Sequence, residues 1–179
     1  MKLALIGLRA TGKSTVGYAL ARRLNWKFFD TDMLVQDRAD MTIREIFEKF
    51  GEPYFREIES EVTQTCAAHD QVVIATGGGA ILNPANVVAL KHNGFVVHLS
   101  ASPEELWQRI SGDPTSLAKR PKLVADADSE LDELKRLLLA RTAAYAQARD
   151  VEICVEQRSP DEIADVVIQL MRAGYMNIH

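Results

Sequence analysis

The chain has 179 residues, 47% of them hydrophobic and 26% charged, with a formal net charge of −4. That length suits one domain with ample material for a core, and the acidic balance argues against a general nucleic-acid surface. No apolar run approaches bilayer-spanning length and no secretory leader precedes the first apolar run, so the expectation is a cytoplasmic protein with no membrane partner.

Lys2 to Ile6 is a short apolar run suited to a buried parallel strand. Gly7-Leu8-Arg9-Ala10-Thr11-Gly12-Lys13-Ser14 follows and reads G-x-x-x-x-G-K-[ST], a phosphate-binding loop. Gly7 and Gly12 let the backbone turn tightly with its N–H groups inward, so that phosphates sit at the positive end of the next helix. Lys13 adds a mobile cation, and the Ser14 hydroxyl is placed to ligate Mg²⁺. Gly7 to Thr15 are therefore candidate nucleotide-binding residues. From Ser14 to Leu24 the spacing of Val16, Ala19, Leu20 and Leu24 predicts a helix.

Lys27 to Asp30 is a short strand ending in acid, and Thr31-Asp32 follows. An Asp-Thr-Asp by itself would simply cap the next helix. At the mouth of a parallel strand, beside a phosphate loop, the two carboxylates point instead to Mg²⁺ or hydroxyl binding. Thr42 to Glu45 is a capping box opening a helix with Ile43, Ile46, Phe47 and Phe50 on its apolar face. Gly51 ends it, and Pro53 starts another running to about His69. In that second helix Arg56 and Glu59 share a face. They could form an ordinary surface ion pair, or Glu59 could hold Arg56 so that its fork grips a carboxylate.

Val72 to Thr76 is the most strand-like run, followed by Gly77-Gly78-Gly79-Ala80. Three glycines directly after a central strand let a ligand approach bare backbone. This strand stands where a second nucleotide-binding motif is expected but lacks its terminal Asp, leaving Asp30 and Asp32 to supply the acid. A helix is expected from Pro84 to Asn93, ended by Gly94, then a strand from Phe95 to Leu99. Ser102-Pro103-Glu104-Glu105 reads as a capping box opening a helix with Trp107 and Arg109. Ser111 to Ser129 has no periodicity, and a long irregular segment of this kind is often a lid. Leu131 to Ala148 is a strong helix with Leu134, Leu137, Leu138, Arg141 and Tyr145 at helical spacing; Arg141 could snorkel at the stripe's edge or point into a ligand site. A fifth strand, Val151 to Val155, leads to the capping box Ser159 to Glu162 and a last helix to about Ala173. Cys66 and Cys154 fit no metal spacing and are expected to be small buried residues, not a disulfide. His69, His92, His98 and His179 have no partner spacing that suggests catalysis. Five strands alternating with helices imply an α/β fold with a parallel sheet covered on both faces.

With these markers in hand, the chain resembles the shikimate kinases, a nucleoside-monophosphate-kinase-like branch of the phosphate-loop proteins. The markers are Gly7–Ser14, Asp30-Thr31-Asp32, Phe55-Arg56-Glu57-Ile58-Glu59, Thr76-Gly77-Gly78-Gly79-Ala80, Arg120-Pro121, and Arg141 followed by Tyr145. The resemblance runs from Met1 to about Arg172. It implies a three-layer P-loop NTPase fold of strand order 2-3-1-4-5 in a single domain over 1–179, with substrate-binding helices at 32–69 and a lid at 111–129. It implies transfer of the γ-phosphate of Mg²⁺-bound ATP to the 3-hydroxyl of shikimate in aromatic amino acid biosynthesis, by a monomer. Under it, Asp32 is the base or positioner for that hydroxyl, and Arg56 and Arg141 grip the carboxylate. Phe47, Phe55, Glu59, Gly77, Gly78 and Gly79 line or support the pocket. Lys13 and the lid residue Arg120 act on the transferred phosphate, Arg120 also reaching both ligands; Ser14 and Asp30 serve the metal; Arg109 and Arg158 flank adenine. Many members have Gly where this chain has Ala10, and here the lid reads Arg120-Pro121-Lys122. Another small-metabolite kinase, of gluconate type, and a non-catalytic nucleotide-binding regulator are the rival readings.

Overall fold

The computed structural model describes residues 1–112, 123–124 and 126–176, the side chains of Tyr175 and Met176 excepted. Its sheet has five strands: β1 (Lys2–Ile6), β2 (Lys27–Asp30), β3 (Val72–Ala75), β4 (Gly94–Ser100) and β5 (Val151–Cys154). Their order is β2-β3-β1-β4-β5, and every pairing is parallel. β1 lies at the centre, with Leu3, Ala4, Leu5 and Ile6 wholly buried. A parallel sheet needs its connections on its faces. The helices supply them: α1 (Lys13–Leu24), α2 (Thr31–Ala39), α3 (Ile43–Ala67), α4 (Pro84–Lys91), α5 (Pro103–Ser111), α6 (Glu130–Ala148) and α7 (Pro160–Met176).

The two helices expected around Gly51 and Pro53 are one long element, α3, interrupted at Gly51, where φ is 82° and ψ 173°. The glycine breaks the helical path and Pro53 restarts it, so the expected boundary is present as a kink. The capping box at Thr42 closes from both sides, and so does that at Ser159 and Glu162. The one expected at Ser102 is half formed. Ser102 Oγ accepts from the Glu105 N–H, but the Ser102 N–H donates to Glu156 at 2.6 Å, while Glu105 pairs with Arg109. A carboxylate from beyond β5 has displaced the local one.

Two further expectations are corrected. Gly94 does not end α4: it is the first residue of β4, aligned with Lys2, and the left-handed turn falls on Asn93 at φ 50°. Glycine is required there for space, since a Cβ on Gly94 would lie 2.0 Å from the Leu90 carbonyl oxygen. Cys154 is exposed, because alternation at the end of β5 turns it outward. Cys66 is buried as expected, and burial pushes its thiol up to about 11. Of the lid expected at 111–129, residues 113–122 and 125 lie outside the described residues, and Arg120 is among them.

His98, on β4, is 5% exposed and stacks on Tyr145 of α6, ring centroids 4.4 Å apart. Burial, with the Arg149 and Lys13 charges, lowers its imidazole to about 4. The ring is therefore neutral in the folded protein. Above pH 6.5 it is neutral in the unfolded chain too. As pH falls from 6.5 towards 4, the unfolded chain binds a proton that the folded protein refuses, so stability is lost. After allowance for solvent screening the loss is about 2 kcal/mol. Urea unfolding at pH 7, 5 and 4 should show it, and His98→Phe, which keeps the stacked ring but cannot titrate, should remove that part of the pH dependence.

Candidate active site

Three loops meet at the carboxyl end of the sheet, where parallel strands leave their ligand crevice. The first follows β1. Gly7 has φ 146°, Ala10 φ 65° and Gly12 φ 84°, so this loop takes three residues of positive φ, with ordinary residues between them, before α1 begins. Ala10 bears a left-handed cost of about 1–2 kcal/mol that glycine would not, which explains why many members of the resembling family carry Gly there. Gly7 is also packed too tightly for a side chain: a Cβ would lie 2.3 Å from the Leu99 carbonyl oxygen. The Lys13 ammonium folds over the loop and donates to the Gly7 and Leu8 carbonyls at 2.9 and 2.7 Å. Thr11 Oγ1 closes the turn on Leu8 O at 2.8 Å.

The second loop joins β2 to α2. Asp30 performs two tasks at once. Its Oδ1 caps α2, accepting from the Asp32 and Met33 N–H groups at 3.0 and 3.3 Å. Its Oδ2 accepts from the Ser14 hydroxyl at 2.5 Å. Capping and metal readings are thus compatible, and the acid missing from the end of β3 stands one strand over. Ser14 and Asp30 offer a hydroxyl and a carboxylate oxygen side by side, a hard-oxygen pair suited to Mg²⁺, which keeps most of its waters. Thr15, beside them, is exposed.

The third loop is Gly77–Gly79, after β3. Gly77 and Gly79 make room for charged side chains. A Cβ on Gly77 would lie 2.4 Å from Glu59 Oε1 and 2.7 Å from Asp32 Oδ1; one on Gly79, 2.4 Å from Arg56 Nη1. The Gly78 position faces Arg141 Nη1 at 3.5 Å, and also Gly7 O and Arg9 N of the phosphate loop at 3.4 and 3.6 Å. The glycines expected to bare the backbone to a ligand therefore also admit the charged groups. The Gly77 N–H donates to Thr31 Oγ1 at 2.9 Å, fixing this loop to the start of α2.

Arg56 is no loose surface ion. Its Nη1 donates to Glu59 at 2.7 Å, its Nε and Nη2 to Glu52 at 3.0 and 2.8 Å, and its guanidinium lies 5.2 Å from the Phe55 ring centroid. The partner Glu59 has a side chain 3% exposed. Burial raises the Glu59 carboxyl above its usual range, against the pull of Arg56 and Arg141. Arg141, left open between surface and site, is buried and donates to Gly78 O at 3.1 Å. Tyr145 donates to the same carbonyl at 2.7 Å.

Phe47, Phe55, Arg56, Glu59, Gly78, Gly79 and Arg141 thus line one pocket, joined by Ile43 and Leu123, with about 340 Å³ of empty space including its open mouth. Two aromatic rings and two converging guanidiniums suit a small ring acid. Asp32 stands at its edge through the shared contact with Gly77. Glu52 was missed although its four-residue spacing from Arg56 was a usable signal. Leu123 carried none, since it follows the aperiodic stretch. Arg109 is held by Glu105 at 2.8 Å and reaches Ala10 O and Val155 O at 3.4 and 3.3 Å, between the phosphate loop and the end of β5. Arg158 is exposed on the turn after β5. Arg120 lies outside the described residues.

Gly79→Ala would drive its new methyl into Arg56, the far end of a flexible side chain. The expected outcome is a rise of about tenfold or more in the KM of the acid substrate, following about 1.4 kcal/mol of lost grip, with a melting temperature close to the parent's. Steady-state kinetics beside a thermal melt checks it.

The family model described as shikimate kinase matches residues 9–172. A shikimate kinase of Symbiobacterium thermophilum is 43% identical over 175 residues, covering 97% of this chain and 98% of that one. One of Geobacter sulfurreducens is 41% identical over 170 residues, covering 95% and 90%. Among solved structures, a shikimate kinase from Acinetobacter baumannii in complex with shikimate superposes with a TM-score of 0.88 at 32% identity, over 97% of this chain and 93% of that one.

Proposed function

The chain belongs to the shikimate kinase family, whose members transfer the γ-phosphate of ATP to shikimate with Mg²⁺, and we propose that Lys13, Asp32, Arg56 and Arg141 carry that reaction here. One observation supports this assignment above the others. Two carboxylates and two guanidiniums close on Gly77–Gly79, and Gly78 of the same run lies beside the phosphate loop, where a Cβ would stand 3.4 Å from Gly7 O and 3.6 Å from Arg9 N. An acceptor bound in the pocket is therefore next to the phosphate donor.

In this reading Arg56 and Arg141 hold the shikimate carboxylate, each already oriented by protein acceptors, so little side-chain freedom is lost on binding. Glu59 keeps Arg56 aimed across Gly79. Asp32, beside Gly77, orients the 3-hydroxyl and takes its proton at a carboxylate oxygen as the O–P bond forms. The loop N–H groups and the Lys13 ammonium receive the charge of the transferred phosphate. Lys13 releases the Gly7 and Leu8 carbonyls to do so, exchanging neutral acceptors for an anion. Ser14 and Asp30 would hold Mg²⁺, which when bound would neutralise phosphate charge. Arg109 and Arg158 flank adenine, and Arg120 reaches the phosphates. Phosphoryl transfer asks for this kind of positioning and charge neutralisation rather than covalent catalysis. The same reading takes the protein as a cytoplasmic monomer, as the family resemblance implies.

An ADP-release assay with Mg²⁺-ATP and shikimate, gluconate or a nucleoside monophosphate tests the assignment. Release should depend on shikimate; release with gluconate alone would favour the gluconate-type reading, and ATP binding without acceptor-dependent release the regulator. Asp32→Asn should lower kcat by about 10²-fold or more while ADP affinity by calorimetry holds. Near-normal turnover would remove Asp32 from the proton's path. Arg141→Ala should raise the KM for shikimate about 30-fold or more, about 2 kcal/mol, and that for ATP far less. Equal effects on both would exclude a carboxylate clamp.

A further inference from the structure

Every fourth residue along α6 from Glu133 is buried: Glu133, Leu137, Arg141 and Tyr145. This is a single row along one helix face. Its lower end, Arg141 and Tyr145, holds Gly78 O from the acceptor side. Its upper end is a carboxylate that the reaction as described does not use. Glu133 is 1% exposed. Its Oε2 accepts from Arg9 Nη2 of the phosphate loop at 3.2 Å, and its Oε1 accepts from the Leu123 N–H at 2.6 Å. Leu123 lines the pocket together with Arg56 and Arg141.

We infer that Glu133 is a positioning residue that couples the nucleotide loop to the shikimate pocket, by holding Arg9 with one carboxylate oxygen and Leu123 with the other. A buried carboxylate strongly resists losing either donor, because the charge left behind has no water to solvate it. Arg9 and Leu123 therefore move together or not at all. Phosphate entering the loop pulls on Arg9, and through Glu133 the pull reaches the wall of the pocket and the helix that carries Arg141. By linkage, shikimate in the pocket stabilises the loop arrangement that binds nucleotide to the same extent. A surface ion pair would transmit nothing, since its members can re-solvate separately. This inference rests on the assignment of the pocket to shikimate.

The test is the ratio of shikimate dissociation constants measured calorimetrically without and with saturating MgADP. In the parent protein the ratio should be about fivefold or more, the lower end of ordinary coupling. Glu133→Gln keeps the size of the side chain and an oxygen for the Leu123 N–H but loses the charge that holds Arg9. It should bring the ratio at least threefold closer to one, with ADP affinity alone changed less than twofold, a result that a merely structural role would not produce. Arg9→Gln removes the same link from its more exposed end and should lower the ratio likewise. Adding it to Glu133→Gln should lower the ratio no further. An unchanged ratio in Glu133→Gln, or no coupling in the parent, overturns the inference. Should Glu133→Gln fail to fold by circular dichroism, an unchanged ratio in Arg9→Gln overturns it equally. A parent that binds MgADP but not shikimate would overturn the pocket assignment as well, whereas coupled binding that survives both variants would overturn this inference alone.

Discussion

The close approach of four charged side chains to three residues without side chains governs this site. Glu59 and Asp32 crowd Gly77, Arg56 crosses Gly79, and Arg141 faces Gly78. At Gly77 and Gly79 no other residue type leaves room for the Glu59, Asp32 and Arg56 contacts, while Gly78 meets Arg141 at ordinary contact distance. Both halves of the arrangement depend on it. If Gly79 were larger, Arg56 could not cross it; without Arg56, Glu59 would be buried with little compensation. The loop is tied at its back by the Thr31 hydroxyl and by Arg141 and Tyr145 on the Gly78 carbonyl. It is thus a rigid platform in spite of its composition.

Charge placement follows from that platform. Glu59 is raised by burial yet stands against two guanidiniums, and Glu133 is buried between Arg9 and a backbone amide. Both carboxylates serve by fixing arginines, which meet the anions. A protein of net charge −4 can gather cations at this site because Arg56 and Arg9 are each held by an acid, and Lys13 and Arg141 by backbone carbonyls. The opposite choice is made at His98, buried beside Tyr145 and neutral. There a charge would bring nothing to the reaction, and the ring serves as packing behind the tyrosine that holds Gly78.

The phosphate loop shows how one residue can satisfy two demands. Asp30 caps α2 with one oxygen and reaches Ser14 with the other, so the hydroxyl–carboxylate pair proposed for Mg²⁺ and the start of α2 are set by the same carboxylate. Lys13, folded onto the Gly7 and Leu8 carbonyls, keeps its buried ammonium satisfied by acceptors that an anion can replace.

By itself the sequence determined what local chemistry specifies. The strand before the phosphate loop, the kink at Gly51, the boxes at Thr42 and Ser159 and the pairing of Arg56 with Glu59 all depend on residues within a few positions of one another, where backbone geometry leaves few choices. Most of the pocket was legible too, since the spacing of the glycine run, the acidic pair and the two arginines already matched one family. Only the tertiary structure decided how distant segments compete. Glu156 took the Ser102 N–H from Glu105, the close approach of Leu90 placed Gly94 in the strand and not in the cap, and the turn of β5 exposed Cys154. The bond from Glu133 to Arg9 spans 124 positions, and no periodicity encodes a partner at that distance. Such contacts exist because the sheet brings the ends of β1, β2 and β3 to one edge and α6 across them, and burial then leaves each charge no partner but the one the fold has placed there.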